Sequence, residues 1–194
     1  MGSVARIEPR ARENFTHSLG MIIALASWAM MFGALFFVYA GVRTSARMWP
    51  PPGMPALPVL LPLLNTLVLL ASSASLFMGT RALLRGDRKS LPRWVAGAMV
   101  LGAAFLGLQL KMWRDLWVTG MLPSSGIYAS VFYGLTVLHA LHVAAGLLVL
   151  GVVLVRALKG TYTEHNAVRV RVAGMFWHFV DVVWVFMFVA LYLL

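Results

Sequence analysis

Residues 18–42 read SLGMIIALASWAMMFGALFFVYAGV, and none of these 25 side chains carries a charge. A helix that crosses a bilayer needs about 20 consecutive, mostly apolar residues. The run therefore predicts a membrane span. The segment before it, residues 1–17, is polar and mixed in charge, so it predicts a tail outside the membrane.

Four more apolar runs follow, separated by short polar or proline-rich connections. They are continuous rather than alternating in hydrophobicity, which favours helices over the strands of a membrane barrel. Together with residues 18–42 they predict an all-α polytopic membrane protein, a bundle of five transmembrane helices in one domain, residues 18–194. The further spans are expected at about residues 57–84, 93–117, 127–155 and 168–194.

The composition agrees with this class of protein. Apolar residues make up 61% of the chain and charged residues 11%, whereas a soluble domain has about 45–50% and about 25%. The chain has no cysteine, which excludes disulfides, thiolate catalysis, iron–sulfur clusters and cysteine-ligated zinc. The net charge of +10 could suggest nucleic acid, but the basic residues flank apolar runs and form no basic stripe with interleaved aromatics. We expect no nucleic-acid partner.

The positions of the basic residues predict the orientation of the chain. Of the 16 Lys and Arg residues, 12 lie in the amino-terminal tail and near the second and fourth connections, which share one side of the membrane. Short segments rich in Lys and Arg stay in the cytoplasm. We therefore expect a cytoplasmic amino terminus and a carboxyl terminus on the outer, periplasmic side.

The fifth predicted span contains the one acidic residue that lies well inside any span, Asp181. His178 lies three residues earlier on the same helix face. Because an intramembrane carboxylate is costly and usually functional, we expect both side chains to face protein and to hydrogen-bond to each other or to a neighbouring helix. Two interpretations stay open: a proton-relay or subunit-docking pair, or a polar clamp that fixes helix packing.

The fourth predicted span carries Thr136, His139 and His142 on one face. Imidazole suits several transition metals. Two histidines three residues apart on one helix, however, cannot ligate a haem from both sides, and the spans offer few further ligands. We therefore expect no metal or cofactor in this chain and predict interhelical hydrogen bonds instead.

The second predicted span is rich in small and hydroxylated residues at a spacing of seven, which is typical of close helix packing and less so of a transport path. Glycines in the third and fourth spans support the same interpretation, and Gln109 is expected to form another interhelical hydrogen bond. The residues of the second span are Asn65, Thr66, Ser72, Ser73 and Ser75.

The segment Trp177-His178-Phe179-Val180-Asp181-Val182-Val183-Trp184 resembles the signature of cytochrome c oxidase subunit III. Three other segments resemble the family's motifs in the same order, and the resemblance covers the chain from Leu19 onward. They are Trp49-Pro50-Pro51 with Asn65-Thr66 and Ser72-Ser73; Phe105 with Gln109; and Phe132, Thr136, His139, Leu141, His142, Val143 and Gly146, with Ala140 where the family usually has glycine.

The resemblance implies a five-helix subunit III of the type found in bacterial cytochrome c and quinol oxidases, in the inner membrane. Longer members of the family have two additional amino-terminal helices. The resemblance also implies a non-redox chain bound to subunits I and II, with the haem and copper in the partner catalytic subunit, phospholipids in clefts, and support for proton uptake and sustained turnover. The side chains expected to contact lipid or partner, or to act as polar clamps, are Asn65, Ser72, Ser73, His139, His142, Trp177, His178 and Asp181.

One position departs from the family pattern. Where the family usually has a serine–glutamate pair in the first span, this chain has Ser27-Trp28, so a role that depends on that carboxylate is in doubt. Three alternatives to an oxidase subunit stay open: an accessory subunit of a nitric oxide reductase, a small proton-coupled transporter using Asp181, and a membrane haem or metal enzyme. The transporter is disfavoured because the sequence shows no inverted repeat.

Overall fold

The structure is a computed structural model that describes residues 9–49, 51, 54–55, 57–163 and 166–193, with side chains from residue 15 onward. In this part of the chain all regular elements are helical, and five helices are long and apolar enough to cross a membrane. The helices are α1 (Pro9–Ser45), α2 (Leu60–Leu84), α3 (Leu91–Val118), α4 (Ile127–Leu158) and α5 (Val168–Phe188), the last continuing as a π-helical turn (Val189–Leu193).

The predicted all-helical fold with five spans is confirmed, and the largest difference in boundaries is at the start. Helix α1 begins at Pro9, whereas the first span was predicted to begin at residue 18. Hydropathy marks where a chain can enter the membrane, but backbone hydrogen bonds continue a helix beyond that point. The described end of the predicted tail, residues 9–17, is therefore helical, and residues 1–8 lie outside the described part.

Helices α2, α3, α4 and α5 form a closed bundle, in which each packs against the next and α5 packs against α2. Helix α1 lies outside this bundle, against α5 and α4. Only 6% of the most apolar part of α1 is buried within the chain, compared with 56% for the span that contains α5. The core of the molecule therefore lies inside the bundle of α2, α3, α4 and α5, and α1 packs on the outside of this bundle.

Three helices of the bundle end in the same way, with a glycine in a left-handed backbone conformation. After α3, Gly120 has a φ of 89°, and the Met121 amide donates to the Leu116 carbonyl at 3.0 Å. After α4, Gly160 has a φ of 67°, and the Thr161 amide donates to the Arg156 carbonyl at 3.1 Å. This closing motif pairs carbonyls that the helix itself leaves free, and Gly86 plays the same role after α2.

Small residues bring α2 and α3 close together. The Ser72 hydroxyl donates to the Ala98 carbonyl and the Ser75 hydroxyl donates to the Trp94 carbonyl, both at 2.8 Å. A β-carbon built on Gly79 would lie 2.7 Å from the Trp94 β-carbon, closer than real contacts allow. The packing interpretation of the second span is thus confirmed for its contact with α3.

A long-range hydrogen bond joins α1 to the helical turn that continues α5. The buried Tyr39 hydroxyl donates to the carbonyl of Ala190 at 2.9 Å. Ala190 lies in the π-helical turn, where the last carbonyls of the helix lack intrahelical partners. Tyr39 therefore satisfies an end-of-helix acceptor and fixes the register of α1 against α5.

We predict that Tyr39→Phe weakens the attachment of α1. The variant loses one buried hydrogen bond, which is worth about 0.5–1.5 kcal/mol. Denaturant unfolding in detergent should show a loss of that size, while Ser27→Ala, which removes a bond within α1 to the Ile23 carbonyl, should have a smaller effect. Equal stability of the Tyr39→Phe variant and the wild-type chain would contradict the proposed attachment.

Candidate functional site

The indole of Trp177 connects α5 to α2 and α3 by hydrogen bonds. Its Nε1–H donates to the Ser72 hydroxyl oxygen at 3.1 Å, and the Ser72 hydroxyl donates to the Ala98 carbonyl. Trp177 is 1% exposed. In a medium without water an indole N–H needs such a partner, so the serine satisfies the tryptophan and a backbone carbonyl at once.

The same indole lies in a slot between two glycines on facing helices. A β-carbon on Gly102 of α3 would lie 2.7 Å from Trp177 Cη2, and one on Gly146 of α4 would lie 2.8 Å from its Cε3. Both positions must therefore lack a side chain for the ring to fit. Trp177 contacts α2, α3 and α4, and it holds the four-helix bundle together at this level.

Two turns further along α5, Trp184 repeats the arrangement. Its Nε1–H donates to the Thr66 hydroxyl oxygen at 2.9 Å, and the Thr66 hydroxyl donates to the Pro62 carbonyl at 2.8 Å. The Trp184 ring is fully buried and meets Phe105 edge to face, with 4.8 Å between ring centroids. Helices α2 and α5 are thus joined by two indole–hydroxyl hydrogen bonds at successive levels.

The predicted pair His178 and Asp181 lies at the α2–α5 contact with Ser73 between them. His178 Nδ1 and the Ser73 hydroxyl are 2.5 Å apart, and Ser73 also lies beside the Asp181 carboxyl. Asp181 is 6% exposed and its Oδ1 has no hydrogen-bond partner, while His178 is half-buried. The prediction that Asp181 faces protein is confirmed, and His178 bonds to the neighbouring helix.

The two histidines of α4 do not form the interhelical hydrogen bonds predicted for them. His139 is buried among Phe105, Trp184 and Phe32, and neither ring nitrogen has a partner among the described residues. His142 Nδ1 hydrogen-bonds to the Leu138 carbonyl of its own helix at 2.8 Å. The prediction was wrong because aromatic rings pack against His139, with the Trp184 N–H already donated to Thr66, and because the Leu138 carbonyl of its own helix lies within reach of His142.

Trp28, at the position where the resemblance implies a glutamate, is an aromatic contact between α1 and the bundle. Its ring lies 5.5 Å from that of His142 on α4 and 5.2 Å from that of Phe176 on α5. Offset and edge-to-face contacts of this kind stabilise packing. The carboxylate position is therefore filled by a side chain that attaches α1 to both of its neighbours.

The amides of Asn65 and Gln109 are also buried, each 2% exposed. Asn65 Oδ1 and both terminal atoms of Gln109 have no hydrogen-bond partner among the described residues. The predicted interhelical hydrogen bond of Gln109 is therefore wrong. Helical spacing placed Gln109 correctly on the buried face of α3, but it does not show what lies opposite.

Of the predicted site residues, the structure brings Ser72 to Trp177 and Ser73 to His178 and Asp181. His139, His142 and Asn65 take part in neither contact. The sequence analysis did not predict the slot for Trp177. Glycines at 102 and 146 indicate close packing, but they do not show which side chain packs against them. Among the described residues, no group of three or more His, Asp and Glu could hold a metal ion.

The fold and this site define a polytopic helical membrane protein whose interior polar groups mainly join helices. The chain belongs to the cytochrome c oxidase subunit III family, whose model matches residues 13–194. It is 36% identical over 177 residues to cytochrome c oxidase subunit 3 of Thermostichus vulcanus, an alignment that covers 91% of this chain and 86% of that protein.

Other relatives extend the comparison. The identity is 37% over 194 residues with the probable cytochrome c oxidase subunit 3 of Mycobacterium tuberculosis, covering 97% and 92% of the two chains. It is 36% over 179 residues with the pig protein, covering 89% and 67%. The predicted family is confirmed. The chain is a subunit III of a haem-copper oxidase, an oxidoreductase complex with other subunits, and a multi-pass bacterial membrane protein.

We predict that Gly102→Ala destabilises the bundle. The new methyl group would press on Trp177, which cannot move away because Gly146 lies against the other side of the ring. Overpacking of this kind costs about 1–3 kcal/mol.

The matched control is Gly107→Ala on the same helix, where a β-carbon meets nothing within 4 Å. It should be neutral or slightly stabilising, because alanine favours a helix over glycine by about 1 kcal/mol. Unfolding in detergent measures both variants, and equal stabilities would contradict the proposed slot.

Proposed function

We propose that this chain is the non-redox subunit III that covers one flank of the catalytic subunit I beside subunit II, and that haem and copper belong to those partners. The observation that carries the proposal is the contrast between the polar groups in the interior of the chain and its apolar outer faces. The buried tryptophan, serine and threonine groups bond to neighbouring helices of this same chain, whereas many large apolar side chains lie exposed on the outer faces. Such a chain can cover an apolar surface of a partner subunit, but it supplies no ligands to a metal or haem.

The side chains of α4 support the absence of a catalytic centre in this chain. His139 points into an aromatic core and His142 points toward α1, where Trp28 and Phe32 surround it. The two imidazoles therefore do not converge on one site. The lack of cysteine in the sequence removes thiolate ligands as well.

Phospholipids are the second proposed partner. A groove of about 340 Å³ opens between α1 and α5 at mid-span, and its lining includes Gly33 and the aromatic rings of Phe36, Phe179 and Phe186. An apolar groove at this depth suits an acyl chain. The 12 basic residues of the predicted cytoplasmic side would add about 1 kcal/mol each toward anionic headgroups near the surface.

For His178, Ser73 and Asp181 we propose the role of a polar clamp. Ser73 is on α2 and the other two residues are on α5, so the Ser73–His178 hydrogen bond joins the helices that also carry the two indole–hydroxyl bonds. A proton relay would need a continuation of hydrogen-bonding groups, and the Asp181 Oδ1 atom has no such neighbour among the described residues.

The donor of electrons to the complex is proposed to be cytochrome c. The relatives from Thermostichus vulcanus, Mycobacterium tuberculosis and pig are all named as subunits of a cytochrome c oxidase. This naming favours cytochrome c over a quinol, and oxygen over nitric oxide as the acceptor. Oxygen consumption by the purified complex with reduced cytochrome c and with a quinol distinguishes the two donors.

We predict that removing this chain from the complex leaves oxygen reduction possible but shortens its duration. The chain contributes no redox ligand under the proposal, so the first turnovers should proceed. Loss of the flank and of its lipids should alter hydration and proton supply at the partner's cytoplasmic side, so activity should then decay faster. The measurement is oxygen consumption over repeated turnovers at matched haem content, with and without the chain.

Two outcomes would contradict this function. Complete loss of the first turnover would indicate a catalytic role for the chain. Identical decay with and without it would indicate that the chain serves assembly alone. Rebinding of the wild-type chain to the depleted complex is the control, and it should restore the slower decay.

We predict that Asp181→Asn keeps normal turnover and that Asp181→Leu lowers the amount of chain bound in the complex. Asparagine retains a hydrogen-bonding group beside Ser73, whereas leucine leaves the Ser73 hydroxyl without one of its neighbours. Bound chain is measured by quantitative analysis of the purified complex. Asp115→Asn is the control, because Asp115 is exposed and pairs with Lys111 at 2.7 Å. A proton relay would instead show slowed proton uptake in Asp181→Asn with normal assembly.

A further inference from the structure

Three neighbouring helices each place one amide or imidazole in the core where none of the described side chains satisfies it. Asn65 of α2 and Gln109 of α3 are 2% exposed, and His139 of α4 is 1% exposed. Five of their polar atoms lack hydrogen-bond partners: Asn65 Oδ1, Gln109 Oε1 and Nε2, and His139 Nδ1 and Nε2. Orphaned polar atoms are costly in a membrane interior, so this group calls for an explanation.

The register of α3 and α4 brings Gln109 and His139 to the same level. The Trp113 Nε1–H donates to the Thr136 hydroxyl oxygen at 3.2 Å, which fixes these antiparallel helices. Gln109 lies about one turn before Trp113, and His139 lies about one turn after Thr136. The two steps go in the same direction along the bundle, so the buried amide and the buried imidazole lie at the same level on neighbouring helices.

The register of α2 and α3 adds Asn65 to this level. Ser72 bonds to the Ala98 carbonyl, and a step of seven residues along each antiparallel helix leads to Asn65 and Phe105. Phe105 is one turn from Gln109, and its ring centroid lies 5.9 Å from that of His139. Asn65 and His139 therefore lie at the level of Phe105 on the two neighbouring helices, and Gln109 lies one turn from Phe105 on α3 itself.

We propose that Gln109, His139 and Asn65 form a binding site for internal water. The five atoms include both kinds of partner: Gln109 Nε2 donates, Gln109 Oε1 and Asn65 Oδ1 accept, and a neutral imidazole has one donor and one acceptor nitrogen. A water molecule both donates and accepts, and buried waters are held by two to four such groups. A cation would be repelled by the N–H donors, and an anion by the oxygen acceptors.

This site differs from the other polar contacts of the bundle. The bonds of Trp177, Trp184 and His178 are direct and join α5 to α2. The proposed water joins α3 to α4, with α2 at its edge, and it lies beside Trp184, whose ring centroid is 5.2 Å from that of His139. The proposal does not depend on the function proposed above, because it concerns only the interior of this chain.

The first test is a structure of the assembled oxidase at a resolution that shows ordered waters. The expected result is density within hydrogen-bonding distance of both Gln109 and His139. Three results would overturn the proposal: a direct hydrogen bond between these side chains with no density, no density and no bond, or an anomalous signal or short ligand distances that identify an ion.

A double-mutant cycle gives a second, independent test in the same complex. Gln109→Leu and His139→Leu each leave the water short of partners, whereas the double variant removes the polar site altogether. The shift in the thermal midpoint of the double variant should be clearly smaller than the sum of the single shifts. Additive shifts would overturn the coupling. Gln109→Leu with His142→Leu is the control pair and should be additive, because His142 bonds to its own helix.

Discussion

The arrangement of this bundle depends on the accommodation of one indole in a medium without water. Trp177 must bury a large ring and satisfy one N–H, and the chain meets the two needs on different helices. Glycines on α3 and α4 leave room for the ring, and the Ser72 hydroxyl oxygen on α2 accepts the hydrogen bond from the N–H. Space for the ring alone would position α5 against α3 and α4, and an acceptor alone would position it against α2. Both are needed to fix all four helices. The indole therefore sets the spacing of α3 and α4 and the register of α2 and α5 together.

This constraint explains why small residues are concentrated where they are. In lipid, apolar burial alone does not drive helices together, so close packing and hydrogen bonds must do so. The stripe on α2 serves both needs: Ser72 and Ser75 bond to carbonyls of α3, and Ser73 and Thr66 bond to side chains of α5. Helix α2 thus joins α3 on one side to α5, the last helix of the bundle, on the other.

The sequence alone predicts the spans and their helical class, because hydropathy and helix length follow directly from the thickness of the bilayer. It also predicts which polar residues are buried, as Asn65, Ser72, His139 and Asp181 show. It does not predict which group each buried polar side chain bonds to. Periodicity places His139 and Gln109 on inner faces, but whether a hydrogen-bonding group lies opposite depends on the offset between helices. That offset is fixed by contacts such as Trp177 with Gly102 and Gly146, which involve residues distant in the chain.

Helix α1 differs from the rest in the kind of contacts that hold it. It is attached through aromatic rings at Trp28 and Phe32 and through one hydroxyl at Tyr39, and it lies outside the closed bundle. Because α2–α5 satisfy their indoles and most of their serines without it, α1 can vary in its contacts at little cost to the bundle. This freedom makes Trp28, at the position where the resemblance implies a carboxylate, tolerable for folding. A change at Trp177, Gly102 or Gly146 would instead disturb three helices together, so the tolerance of this chain to substitution should fall sharply from α1 to α5.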